Sequence, residues 1–315
     1  MKFEPILQPK IWGGDLLNLY LNKEKRSERI GESWEISDVE GFHSIISNGA
    51  AKGMSLHELI TQEKERILGK TIFEKYGEEF PLLIKFLDAK VPLSIQVHPN
   101  DEYAKSLENG QGKTEMWYIL HADDDAEIYL GWKRDMNKDE IEKALHSSDI
   151  QDYMQKFTPK KGDVFYVPAR TIHSIGKGVV LAEIQQTSDI TYRLYDYGRK
   201  ENGKLRELHI DKGLEVMSLE YIPNLKREYT AIDNQLVKVV NEKYFSMNFI
   251  SLKSKMEFET EDNFQIYIGV SGISDFEANG EITQLQKGET LLIPAGLNKF
   301  SIRADQAEIL QIVVN

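Results

Sequence analysis

The stretch Lys161-Gly162-Asp163-Val164-Phe165-Tyr166-Val167-Pro168-Ala169 returns as Lys287-Gly288-Glu289-Thr290-Leu291-Leu292-Ile293-Pro294-Ala295, an offset of 126 residues from position 161 to position 287. Each copy reads as a turn, a buried strand and a break. The glycine gives the turn its conformational freedom, and the proline, which lacks an N–H, stops the strand from extending a hydrogen-bonded ladder. One such run occurs in many β proteins; two copies a domain length apart indicate an internal duplication. Outward from these copies, short half-buried or buried strands are expected at 11–14, 32–36, 43–46, 81–87, 92–97, 116–120, 126–130, 163–167 and 179–185, and again at 245–252, 265–270, 289–293 and 308–313. Two segments break the pattern. At 55–76, Leu56, Leu59, Ile60, Ile67 and Leu68 recur at helical spacing behind Ser55, a suitable N-cap, and at 135–157 a charged insert puts Ile141 and Leu145 on one helical face. Little helix is expected after Met217, so the chain reads as mostly β with helical inserts.

Composition narrows the chemistry. The 315 residues carry a net charge of −12 and no cysteine. That excludes disulfides, thiolate-held metals and a cysteine nucleophile, so any metal must be bound by nitrogen and oxygen. An acidic surface disfavours nucleic acid. No apolar run approaches the roughly 20 residues of a membrane helix, and the first residues lack a signal-peptide core, so a cytoplasmic protein without membrane partners is expected.

Gly-strand-Pro followed closely by a histidine, as in Pro168-Ala169-Arg170-Thr171-Ile172-His173, resembles the second motif of the cupins, small jelly-roll-type β-barrels. With two copies, the resemblance implies a bicupin of two barrels. Its N-terminal, metal-binding cupin would span 1–230 with the inserts at 55–76 and 135–157, and its C-terminal cupin 231–315. Upstream lies Ser94-Ile95-Gln96-Val97-His98-Pro99, and seventeen residues beyond His98 comes Glu115 in Gly112-Lys113-Thr114-Glu115. Strand alternation points Ser94, Gln96 and His98 to one side. Gln96, His98, Glu115 and His173 together suit a borderline divalent cation with a position left for water or substrate. Any one of these histidines alone would be read as a hydrogen-bonded core or surface residue. The other five, His43, His57, His121, His146 and His209, read as ordinary surface residues.

The stretches Pro92 to Pro99, Gly112 to Trp117, Pro168 to His173 and Ser188-Asp189-Ile190-Thr191-Tyr192-Arg193 resemble the type I mannose-6-phosphate isomerases. Ile11-Trp12-Gly13-Gly14, Gly31-Glu32-Ser33-Trp34 and Tyr192 to Tyr197 fit their shorter bacterial branch. The resemblance implies interconversion of mannose 6-phosphate and fructose 6-phosphate through an enediol, with one zinc per chain bound by Gln96, His98, Glu115 and His173. It further implies an active-site Arg193, a Lys113 two residues before the ligand Glu115, an acidic Glu183, and Ser94 and Trp12 as pocket residues. Lys113 and Glu183 are rival bases, and Lys113 beside the cation is expected to lose its proton readily. Lys10, Lys113 and Arg193 are candidates to meet the phosphate. After Arg193 the longer enzymes continue Ala-Gly-Leu where Leu194-Tyr195-Asp196 stands here, so phosphate contacts do not carry over. The alternatives are a metal-dependent cupin oxygenase and a non-catalytic sugar-binding bicupin. Adding the offset to His173 reaches Lys299, and no histidine follows His209, so the C-terminal half is expected to be metal-free.

Overall fold

The computed structural model describes residues 1–147 and 149–315. Seven antiparallel strands form the largest N-terminal sheet, in the order Ile6–Gly14, Ile30–Ile36, Leu82–Ala89, Val179–Gln186, Glu115–Ala122, Val164–Val167 and Lys226–Arg227. A five-stranded sheet faces it, ordered Tyr192–Tyr195, Ile95–Val97, His173–Ile175, Ile128–Trp132 and Met154–Phe157. Trp12, Leu87, Trp117, Phe165 and Leu181 from the first pack against Ile128, Leu130 and Ile175 from the second. The opposite face of the seven-stranded sheet is also covered. There Ile84, Phe86, Met116, Tyr118 and Ile184 meet Met247, Phe249, Ile266, Ile268, Leu310 and Ile312 of a third sheet. Covered on both faces, Leu82–Ala89 and Val179–Gln186 are buried at every residue. That double burial is why their sequences run apolar instead of alternating.

The third sheet has eight strands and curls about Gln265–Ala278, fourteen residues long. This strand pairs in its first half with Thr290–Ile293 and Ala307–Val314 and in its second with Glu281–Gln286 and Lys299–Arg303. Its register shifts between Gly269 and Ser271, and Gly272 sits at φ +71°, where a Cβ would stand 2.2 Å from the Gln306 carbonyl oxygen. The sequence reading ended this strand at 270 because a glycine at a bend looks like a turn.

The duplicated stretch forms equivalent strands. Gly162 and Gly288 both adopt positive φ, at 91° and 79°. Val167 then pairs with Glu115, and Ile293 with Gln265. Register therefore places Gln265 where the first copy has Glu115, and Tyr267 where it has Trp117. Across the next strand pair, Gln311 opposite Tyr267 answers Glu183 opposite Trp117.

The segment at 55–76 is helical but broken, into Leu56–Glu63, Glu65–Leu68 and Lys70–Tyr76, at Lys64 and Gly69. Ser55 Oγ accepts from the Glu58 N–H at 3.1 Å while the Glu58 carboxylate accepts from the Ser55 N–H at 2.8 Å, a complete capping box. The second insert differs from expectation at its end. The helix Lys138–Ser147 buries Ile141 and Leu145, but Met154–Phe157 is a strand paired with Ile128–Trp132. Its pairing partner lies outside the insert, so nothing in the charged text around it marks the strand. Helices Leu16–Leu21, Asp101–Glu108 and Ile210–Val216 were not expected. In Asp101–Glu108 only Ala104 is fully buried, with Tyr103 and Leu107 partly buried beside it, a stripe of three residues that is short for a helical signal.

Candidate active site

Cross-strand neighbours Trp34, Lys85, Glu183 and Trp117 form one row over the seven-stranded sheet. Lys85 Nζ stands 3.3 Å from Glu183, 3.8 Å from Glu32 and 5.0 Å from the centre of the Trp34 ring. Trp34 Nε1 donates to Glu32 at 2.7 Å, and Lys10 reaches Glu32 at 3.6 Å. At the other end the Trp117 indole N–H lies 3.1 Å from both Glu115 Oε2 and Glu183 Oε1, joining the two carboxylates.

The five-stranded sheet brings the histidines to Glu115. His173 and Gln96 are cross-strand partners, and His98 follows the Ile95–Val97 strand. His98 Nε2 lies 3.1 Å from Glu115 Oε1, and His173 Nε2 lies 3.9 Å from Oε2. Each imidazole turns its other nitrogen to a backbone carbonyl, His98 Nδ1 to Ile190 O and His173 Nδ1 to Thr171 O, both at 2.9 Å. An Nδ1–H donated outward fixes the tautomer that leaves the Nε2 lone pair facing the carboxylate, the arrangement of a metal-ligating histidine. Burial drives both imidazoles toward neutrality, His98 down to about 3. Burial alone would raise Glu115, but Lys113 and the two imidazoles hold it well below the ordinary carboxylate value. The donors thus stand in the protonation states that a cation needs.

Glu115 Oε1 is buried without a hydrogen bond. Lys113 Nζ approaches it to 2.7 Å, but off the direction a hydrogen bond requires. A buried carboxylate with one imidazole lone pair beside each of its oxygens, all three donors within 4.8 Å of one another, fits a divalent cation. Gln96 is the member that must move: Oε1 accepts from Ser94 Oγ at 3.2 Å while Nε2 faces His173 Nε2 at 3.2 Å, so the amide has to turn over to offer oxygen inward. Lys113 is expected to lose its proton beside a bound cation, and the metal-free site describes the other state. There burial would lower the lysine's affinity for the proton, yet Glu115 and Glu183 raise it, so before a cation enters Lys113 is held charged.

Above these donors opens a cavity of about 310 Å³. Every remaining residue singled out in the sequence borders it: Lys10, Trp12, Ser94, Lys113, Glu183 and Arg193, with Gln96 at its floor. Arg193 is fixed by Nη1 donating to Glu207 O at 2.8 Å, while its buried Nε has no partner. Burial, then the like charge of Arg206, lowers its proton affinity. His209 accepts from the Arg193 N–H at 3.2 Å, so it supports the arginine and is not an ordinary surface residue. The sequence reading missed Arg206, Lys85 and Glu32. A lysine inside the apolar run Leu82-Leu83-Ile84-Lys85-Phe86-Leu87 was a usable signal, since an unpaired buried ammonium is too costly to keep. Arg206, in a polar stretch held by Asp196 at 3.2 Å, carried none.

Known proteins are similar to this chain over nearly all of its length. Residues 1–114 match the family "Phosphomannose isomerase type I, catalytic domain", and 235–314 match "Mannose-6-phosphate isomerase, cupin domain". The mannose-6-phosphate isomerase ManA of Bacillus subtilis is 37% identical over 95% of this chain and 94% of its own. The mannose-6-phosphate isomerase of Streptococcus mutans is 33% identical over 95% and 93%. A crystal structure of the Bacillus subtilis mannose 6-phosphate isomerase superposes with a TM-score of 0.88 at 32% identity, covering 99% of this chain and 98% of that one.

Proposed function

The chain belongs to the type I phosphomannose isomerase family, and from that membership we propose how its residues interconvert mannose 6-phosphate and fructose 6-phosphate. The observation that carries the reading is the buried group of His98, Glu115 and His173, its donor atoms within 4.8 Å of one another and both imidazoles anchored outward through Nδ1, next to a cation-rich cavity bordered by Gln96 and Lys113. Gln96, His98, Glu115 and His173 would hold one zinc per chain. When bound, the ion polarises the substrate oxygens next to the reacting carbons.

The remaining steps belong to side chains of the chain. Glu183, buried and pushed upward by burial and by Glu115, is the carboxylate that takes the proton from carbon 2 and returns it to carbon 1. Lys113, held charged in the metal-free site, gives its proton to the oxygen on carbon 1 as the enediol forms and takes the hydroxyl proton from the oxygen on carbon 2 as the ketose forms. Arg193 neutralises the enediolate, aided by an Nε that no protein group occupies. Ser94 and Trp12 line the sugar's path. The phosphate of the substrate requires local positive charge in a chain of net −12. The cavity offers Lys10, Lys85, Lys113, Arg193 and Arg206 against Glu32, Glu183 and Asp189, and Lys10, Arg193 and Arg206 are the proposed contacts. A phosphorylated hexose is a substrate of the cell interior, in keeping with the cytoplasmic location expected from the sequence.

We read 1–230 as the metal-binding cupin and 231–315 as a second cupin that serves as scaffold, together a bicupin of two jelly-roll-type barrels. Support for the scaffold role comes from the second copy's register equivalents. Gln265, Tyr267 and Gln311 replace Glu115, Trp117 and Glu183, and bond one another at 2.6 to 2.9 Å. Amides and a phenol there satisfy each other without a charge to neutralise. Phe258, Tyr267, Phe276 and Phe300 pack together in the same core. Lys299, in the place of His173, is exposed and paired with Glu259 at 2.8 Å.

A coupled assay with mannose 6-phosphate before and after chelation tests the reading, together with metal analysis after exhaustive dialysis. Activity that disappears with the metal and one retained equivalent per chain are expected, with the equivalent lost in His98→Ala and His173→Ala. Full turnover by metal-free protein, or an equivalent that survives both substitutions, contradicts it.

A further inference from the structure

A second group of ligand-type side chains lies outside this cavity. Asp38 and His43 face each other across the short hairpin Asp38–Val39 and Phe42–His43, and His57 projects from the first turn of the helix Leu56–Glu63. His43 Nδ1 stands 2.8 Å from Asp38 Oδ1, and His57 Nδ1 stands 3.3 Å from the same oxygen. All three donors lie within 4.8 Å of one another, and the two rings are 5.0 Å apart. Among the described residues, this and the His98–Glu115–His173 group are the two sets of three so disposed.

The spacing suits a cation. Bonds of about 2.0–2.1 Å in tetrahedral geometry put neighbouring donor atoms about 3.3 Å apart. Two imidazole nitrogens turned to one carboxylate oxygen at 2.8 and 3.3 Å need little movement to reach that spacing. Asp38 is already anchored, its side chain 3% exposed and Oδ2 accepting from the Phe80 N–H at 3.1 Å. The histidines are 33% and 45% exposed, so an ion has access.

Electrostatics make the stronger case. The open cavity beside these residues is bordered by Asp38, Glu40, Glu79, Glu108 and Asp189 together with the two histidines, and by no lysine or arginine. The neighbouring catalytic cavity, which shares Asp189, is lined by five lysines and arginines. With Glu108 paired to Lys212 at 2.6 Å, the second cavity still presents Asp38, Glu40, Glu79 and Asp189 with no lysine or arginine on its lining, the opposite of the catalytic one. A hydrogen-bonded Asp–His–His cluster that merely ties the hairpin to the helix would not require an acidic surround. We propose that Asp38, His43 and His57 form a second, weaker divalent-cation site, selective for a borderline ion such as Zn2+ or Co2+, that bridges the hairpin to the helix and is independent of the catalytic centre.

Equilibrium dialysis of the full chain against Zn2+ tests this, with Co2+ absorption as a second readout. Wild-type protein is expected to bind a second equivalent that dialysis against buffer removes. His43→Ala, His57→Ala and Asp38→Asn should each weaken that equivalent by more than about tenfold, the loss that even a supporting partner of a ligand produces when removed. They should leave the tight equivalent and the isomerase rate in place, while His98→Ala should keep the weaker equivalent. Should the variants fold poorly, wild-type protein decides: Zn2+ at second-site saturation should protect His43 and His57 from acylation by diethyl pyrocarbonate. A single equivalent in wild-type protein, a second that persists in the His43→Ala/His57→Ala double variant, or undiminished acylation at saturating Zn2+ overturns the site.

Discussion

Glu115 and Glu183 share one indole donor yet are driven in opposite directions, the first toward its charged form by Lys113 and the histidines, the second toward its neutral form by burial and by Glu115 itself. Two carboxylates whose environments separate their proton affinities commonly divide the ligand and base roles. The base must be ionised to act, and its affinity for the proton is raised above the ordinary glutamate value of 4.5. The acid limb of kcat/KM is therefore expected above that value, activity falling as pH drops through it. Glu183→Gln should lower turnover by roughly 10²–10⁴ and abolish that limb in whatever activity remains. A variant with the same rate and the same limb would return the base role to Lys113. The role proposed for Arg193 concerns a different charge, that of the enediolate. Arg193→Ala should cost about 10²–10³ in kcat, the scale for losing one preorganised donor to an oxyanion, with metal content unchanged. Loss of the metal together with the rate would make Arg193 a structural residue.

Among the elements, those whose sequence carries its own signal match the expectations: Phe245–Leu252 runs over the expected eight residues, and Ser55 caps its helix as read. Ser55→Ala removes one half of the capping box and should lower stability by about 1 kcal/mol in denaturant titration, with isomerase activity intact because the cap lies outside the catalytic cavity. No change in the midpoint would mean that packing of Leu56, Leu59 and Ile60, not the cap, sets that end. Elements defined by their partners escape such reading. Met154–Phe157 is a strand because Ile128–Trp132 offers an edge to it, and the helix Asp101–Glu108 is held by Asn100 at its N-terminus and by Tyr244 bonding Asp101 at 2.6 Å.

At the scale of the molecule, the third sheet covers the outer face of the sheet that carries the active-site row. Phe249 stacks at 6.3 Å on Tyr118, one strand position from Trp117, so the packing between the sheets reaches the back of the site. Phe249→Ala should cost about 3–5 kcal/mol, read as a lowered midpoint of unfolding. Because one continuous core joins the N-terminal sheet, the helices of 56–76 and the third sheet, calorimetry should show a single transition. Two resolved transitions would mean that the third sheet folds independently of the rest.

What depends on neighbours along the chain is legible in the residues alone: the duplication, the alternation that aligns Ser94, Gln96 and His98, the motif placing Lys113 before Glu115, and the acidic, cysteine-free composition. These are short-range facts, because strand period and turn chemistry act over a few residues. Where charges meet depends on how the chain folds. Lys85 between Glu32 and Glu183, Arg206 beside Arg193, and His43 and His57 around Asp38 bring together residues up to about 150 positions apart. The fold also places Glu115 and Glu183 around Lys113, where in the metal-free site they act nearly unscreened by water and raise its affinity for the proton against the cost of desolvation. Such interactions depend on distance in space and on the exclusion of solvent, and neither is written in the spacing of residues along a chain.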